Sequence, residues 1–186
     1  MKREPAQVPF GYEPPVRTVK GTLVFYDSFE YISDEELGRV LDITRTRLFK
    51  KLVLYPLHEE TVRRMSKQPV APYYKREKQL FDWKKEAGST LVTVETWEGK
   101  RKKYTPFEAA VRHLEEIYSA PLFLYVTPEV ALQLASYASF EEVITKVRLI
   151  LSERPASHAV LQKFQHRWQV AGEEEQLQVT ERRDSK

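Results

Sequence analysis

Short, unbroken apolar runs separated by capped helical segments restrict this chain more than any other feature of its sequence. "LVFY" (23–26), "LVLY" (52–55), "LFLY" (122–125) and "LIL" (149–151) are too short for buried helices and suit strands covered on both faces. "STLVTVETWEG" (89–99) alternates and suggests a further strand. Ser33, followed by Glu36, marks the start of a helix over 34–49 and has the pattern of a capping box. "YYKREKQLFDWKKEAG" (73–88) reads as a helix closed by Gly88. Thr105, Pro106 and Glu108 suggest the N-cap, first position and box residue of a helix through 119. Shorter helices are expected over 128–137 and 139–146.

The resulting β-α-β-α-β-α-β-α-β order implies an α/β fold: one domain with a doubly wound, mostly parallel sheet of about five strands. The domain is expected over residues 19–170. A proline-rich arm precedes it (1–18, with Pro5, Pro9, Pro14 and Pro15), and a charged tail follows it (171–186). "SHAVLQKFQHRWQV" (157–170) suggests a last helix. Ligands in such sheets bind where strands end and the chain order reverses, so the first strand's exit, "YDSFEYISDEE" (26–36), is the first place to look for chemistry.

Composition removes several classes of function. The absence of cysteine excludes disulfides, thiolate nucleophiles and cysteine-ligated metal sites. No apolar run reaches the ~20 residues of a membrane span. No apolar segment follows the charged start, so neither a secretory leader nor a membrane partner is expected, and a cytoplasmic location fits. A net charge of +3 does not by itself argue for nucleic acid. His58 is not part of a zinc motif, because Val62 stands where H-E-x-x-H needs its second histidine. No metal ligand is assigned.

The element order, together with several local motifs, resembles the nicotinate mononucleotide adenylyltransferase family of the nucleotidyltransferase superfamily. That family has a first turn of the form G-G-S-F-D-P-x-H-x-G-H. Against it, Ser28 and Phe29 match, and Glu30 stands for the aspartate. Tyr26 and Asp27 occupy the glycine positions, and Ser33 and Glu36 occupy the histidine positions. Tyr104 and Thr105 match the family's Tyr-Thr helix start. Thr127, Pro128 and Glu129 fall at its G-A-D, Arg76 at an arginine, and Arg154-Pro155 at its R-P. The resemblance covers roughly residues 20–155; the family's closing phosphate-binding motif has no counterpart.

The resemblance implies adenylyl transfer between ATP and a pyridine mononucleotide, driven by positioning and charge stabilisation with Mg²⁺ as the metal. It places Ser33 and Glu36 at catalytic positions. Tyr26, Asp27, Ser28, Phe29, Arg76, Tyr104, Thr105 and Glu129 fall at nucleotide-binding ones; His58, just past the second strand's exit, and Lys75, a nearby positive charge, are added as nucleotide-binding candidates from their positions. Without the glycines the backbone cannot approach phosphate closely, and Asp27 and Glu36 bring negative charge toward it. The leading expectation is therefore a degenerate member that binds a nucleotide (ATP or a pyridine nucleotide) or a protein partner, with transfer lost. Two alternatives stand beside it. One is an active, metal-dependent transferase using Asp27, Glu30, Glu36 and His58. The other is a non-enzymatic interaction module, including a homo-oligomer. Each site residue also has a plainer reading: Ser33 and Glu36 as helix cap, His58 as a loop residue, and Lys67 and Lys75 as solvated charges.

Overall fold

The computed structural model describes residues 20–173. The arm over 1–18 and nearly all of the charged tail lie outside the described residues. The elements follow in the order β1 (Lys20–Asp27), α1 (Asp34–Thr46), β2 (Phe49–Pro56), α2 (Glu59–Met65), α3 (Tyr73–Ala87), β3 (Val92–Val94), α4 (Trp97–Arg101), α5 (Phe107–Ile117), β4 (Leu122–Val126), α6 (Pro128–Ala135), α7 (Phe140–Val143), β5 (Val147–Leu151), α8 (Ala159–Lys163), a 3₁₀ turn (Gln165–Arg167) and β6 (Trp168–Val170).

The strands form one six-stranded sheet in the order β3-β2-β1-β4-β5-β6, and every pairing is parallel. This is the strand order of a Rossmann-like domain, with the switch point between β1 and β4. The apolar runs produce it directly. Within β1, Leu23 and Phe25 face one layer and Val24 and Tyr26 the other. One layer holds α1 and α3 through Leu37, Val40, Leu41, Leu80 and Trp83. The opposite layer holds α2 and α5 to α8 through residues such as Val62, Phe107, Leu114, Leu134, Phe140 and Leu161. A strand so enclosed cannot alternate polar and apolar residues, and β1 is buried from Gly21 to Asp27.

Several local expectations change. Helix α1 stops at Thr46 rather than 49: Leu48 takes a left-handed φ of 59° and Phe49 already belongs to β2. The third strand is confined to Val92–Val94, because beyond Glu95, whose N–H reaches the Leu54 carbonyl at 2.9 Å, the chain turns into α4. Residues 157–170 do not form one helix. After α8 and the 3₁₀ turn, Trp168–Val170 pairs with β5 as a sixth strand. Pro106 occupies the N-cap position of α5 and Thr105 does not cap it. Gly88 closes α3 in the left-handed conformation with φ 62°, which suits glycine.

Gly21 is required for a different reason. A Cβ there would lie 2.1 Å from the Pro121 carbonyl oxygen and 2.6 Å from the Ala120 carbonyl carbon, both backbone atoms of the segment leading into β4. The central β1–β4 pairing depends on this close approach. Gly21→Ala should cost about 1–3 kcal/mol by overpacking, seen as a lower urea midpoint with an unchanged slope.

Candidate functional site

The exits of β1, β4 and β5 surround a crevice of ≈ 300 Å³ at the switch point, lined by Tyr31, Ile32, Ser33, Glu36, Thr127, Pro128, Glu129, Ser152 and Glu153. Three of these are carboxylates, and none is lysine, arginine or histidine. Ser33 is the N-cap of α1, its hydroxyl accepting from the Glu36 N–H at 3.1 Å. The Glu36 carboxylate accepts from the Tyr125 hydroxyl at 2.5 Å and lies 3.7 Å from Arg39. The hydroxyl half of the capping box thus forms, while the Glu36 side chain is anchored on β4. Thr127 caps α6 in the same way, accepting from Val130 N–H at 3.3 Å. Glu129 is exposed on the rim.

Below the crevice, the β1 exit is tightly wound. Phe29 has a left-handed φ of 64°, uncommon for a bulky residue. Its ring is buried and packs 4.8 Å from Phe25. Asp27 makes the turn: its Oδ1 accepts from the Phe29 N–H at 2.8 Å and from the Ser28 hydroxyl at 3.4 Å. Asp27 is 6% exposed. Burial raises its carboxyl to about 6, against the pull of those two hydrogen bonds, and Glu129 adds a smaller upward push. Tyr26 is in the core, stacked 5.5 Å from Tyr55 and edge-on to Phe107. Glu30 accepts from the Ala71 N–H at 3.0 Å.

Arg76 is fully buried and reaches four acceptors. Its Nε donates to Ala71 O (2.8 Å), its Nη1 to Ser28 O (2.7 Å) and Leu57 O (2.6 Å), and its Nη2 to Glu59 (3.1 Å). One guanidinium therefore ties the β1 exit, the β2 exit, the loop before α3 and α2. Burial lowers its pKa from the ordinary arginine value, and Glu59 opposes that. Lys67 and Lys75, by contrast, are exposed.

A second polar centre lies at the β2 exit. His58 caps α2, its Nδ1 accepting from the Glu60 N–H at 3.2 Å, and its own N–H donates to Glu98 Oε1 at 3.0 Å. The same oxygen accepts from the Thr61 hydroxyl at 2.7 Å, and Thr61 Oγ1 accepts from the Thr105 N–H at 3.0 Å. Glu98 is completely buried. Its Oε2 and the buried Tyr55 hydroxyl each lack a hydrogen-bond partner of good geometry, although the two side chains are near enough to influence one another. Desolvation raises the Glu98 carboxyl, opposed by the His58 N–H, Thr61 and Tyr55. Tyr104 is covered by Arg64, whose guanidinium carbon lies 4.6 Å from the ring centroid.

Of the residues aligned with the nucleotidyltransferase motifs, Ser33, Glu36 and Glu129 meet in the crevice. Asp27, Ser28 and Phe29 lie beneath it, while Thr105 belongs to the Glu98 network together with His58, a candidate from its strand-exit position. Glu98 itself was not singled out from sequence; a lone glutamate near the end of an expected strand over 89–99 carries no motif. Trp97 and His113, stacked at 3.9 Å with Glu95 3.4 Å from the histidine, were likewise not paired. Among the described residues no group of three or more His, Asp or Glu side chains is arranged to hold a metal ion, and no helix is long and apolar enough to cross a membrane. No family model matches the chain, and no curated protein matches it.

Two expectations follow. Arg76→Met should destabilise the protein by about 3–5 kcal/mol, because it leaves Glu59 and three carbonyls without their buried cation; chemical denaturation reads the loss. Burial makes Asp27 titrate higher in the folded state than the ordinary aspartate value of 3.8. Its contribution is therefore present below pH ~4 and lost as pH rises through about 6. Asp27→Asn should gain about 2–3 kcal/mol relative to the parent on going from pH 4 to pH 7, measured by urea unfolding at both pH values.

Proposed function

We propose that this chain is a non-catalytic, Rossmann-like binding protein that resembles the nucleotidyltransferases in frame and does not transfer adenylyl groups. Its crevice receives a positively charged or hydrogen-bonding group of a ligand or protein partner. The observation that carries this reading is the crevice wall: Glu36, Glu129 and Glu153 line it, and the Arg39 guanidinium at its edge is already engaged by Glu36 (3.7 Å) and the Ser152 carbonyl (3.3 Å). A like-charge pair at ~4 Å costs about 1 kcal/mol in water and about 4 kcal/mol at a surface-like effective dielectric. A triphosphate would meet several such pairs.

Phosphate transfer needs cations and open backbone N–H groups aimed at the transferred group. Here the Phe29 N–H is already held by Asp27, and the Glu36 N–H by Ser33. The buried Arg76 is committed to carbonyls and Glu59. The resemblance thus accounts for the frame and leaves the crevice without the groups that the reaction uses.

Incubation with ATP, nicotinate mononucleotide and Mg²⁺ should release no pyrophosphate above background. Release that Asp27→Ala or Glu36→Ala abolishes would overturn the proposal in favour of an active transferase. Arginine amide, titrated against ¹⁵N-labelled protein, should shift the amides of Ile32, Thr127 and Ser152, and Glu129→Gln with Glu153→Gln should weaken it.

A further inference from the structure

Lys100, Arg101, Lys102 and Lys103 stand in succession where α4 ends and the chain turns toward α5. Lys100, Lys102 and Lys103 are exposed, and none makes an ion pair or side-chain hydrogen bond among the described residues. Arg64 of α2 joins them. It too is exposed, and its guanidinium carbon lies 4.6 Å from the centroid of the half-buried Tyr104 ring. Arg101 fixes the run in place: its Nε donates to the Thr105 hydroxyl at 3.2 Å, and its guanidinium carbon lies 4.8 Å from the Trp97 ring centroid. Cations from two elements thus gather around an aromatic side chain beyond the ends of β2 and β3, whereas the acidic crevice belongs to β1, β4 and β5.

The acidic side chains around this run are turned away or engaged. Glu98 is buried and faces His58 and Thr61. Glu95 accepts from the Tyr118 hydroxyl at 2.6 Å and lies 3.4 Å from His113. Glu60 is paired with Arg63. Glu108, on the first turn of α5, is half-buried. Lys102 has a left-handed φ of 57° as the C-cap of α4, and its N–H closes the helix on the Glu98 carbonyl at 2.9 Å. Glycine adopts this conformation most readily, so the lysine keeps a charge at a turn that does not need one.

We propose that this basic surface binds a single strand of nucleic acid, with Arg64, Lys100, Lys102 and Lys103 on its phosphates and the Arg64–Tyr104 pair as a stacking surface for a base. Lysines act as mobile point charges and suit an irregular phosphate backbone. Aromatic rings and guanidinium planes stack on bases that are not already stacked in a duplex. Helix α4 has five residues and offers no long recognition helix for a major groove. A membrane surface fits less well, because interfacial binding also needs exposed apolar side chains. The large hydrophobic residues exposed among the described residues are Tyr31, Leu48, Tyr74, Phe81 and Ile117, and none belongs to this surface. The inference does not depend on the reading of the crevice.

The test is fluorescence anisotropy of a labelled oligouridine of about 12 nucleotides, titrated with the full chain at sodium chloride concentrations from about 50 to 200 mM. Saturable binding is expected, with log K falling against log salt with a slope of about −2 to −3, the value for three to four phosphate contacts on a single strand. The triple variant Lys100→Gln, Lys102→Gly, Lys103→Gln should bind about tenfold or more weakly and flatten that slope by about 2; glycine at 102 preserves the turn. Lys50→Gln with Lys85→Gln and Arg148→Gln removes an equal charge from exposed positions elsewhere and should leave binding unchanged. Absence of saturable binding, equal weakening by both triple variants, equal affinity for a duplex of the same length, or capture by phosphatidylserine vesicles in place of the oligonucleotide would each overturn the proposal.

Discussion

The guanidinium of Arg76 is the constraint on which the site end of the sheet depends. The carbonyls of Ser28 and Leu57 lie just past the two strand ends, where the parallel ladder can no longer pair them. Leu57 is buried and Ser28 half-buried, and a buried carbonyl without a donor costs about 1–3 kcal/mol. One side chain from α3 supplies both at 2.6–2.7 Å and is neutralised in turn by Glu59. The tight β1 turn, with Phe29 in a left-handed conformation, is held at its Ser28 end by this bond and at its start by Asp27. In a phosphate-binding turn a cation faces outward, toward ligand. Here the buried cation faces inward, toward backbone, while Glu36, Glu129 and Glu153 line the crevice and Arg39 is held between Glu36 and the Ser152 carbonyl.

The layer architecture was legible because burial of a parallel sheet leaves a strong compositional trace. Leu23–Tyr26, Leu52–Tyr55 and Leu122–Tyr125 could hardly be anything but enclosed strands. Caps with a local chemical logic were legible too, as Ser33 and Gly88 are. Trp168–Val170 was not. Three residues are too few for a period, and their strand character comes from pairing with Leu149–Leu151. Thr105 was read as a cap because threonine before proline has that pattern, yet tertiary contact takes its N–H to Thr61.

The candidate site was legible in position and less so in character. The crevice lies at the first strand's exit, where strand order alone directs attention. The roles of Arg76 and Glu98 were hidden because each acts on groups distant in sequence: Ser28 is 48 residues from Arg76, and His58 is 40 from Glu98. A charged residue in a helical pattern looks solvated until the fold shows what it faces.

The two outermost strands, β3 and β6, have three residues each, while the central β1 and β2 have eight. A sheet that tapers in this way exposes very little unpaired backbone along its margins. Among the described residues, another chain would find only a few amide and carbonyl groups on which to add a strand. The long, hydrophobic strands that could template fibril-like stacking are placed in the middle, where neighbours already satisfy them. Self-association by extending the sheet is thereby disfavoured, and contact between copies would have to use side chains on the helical faces.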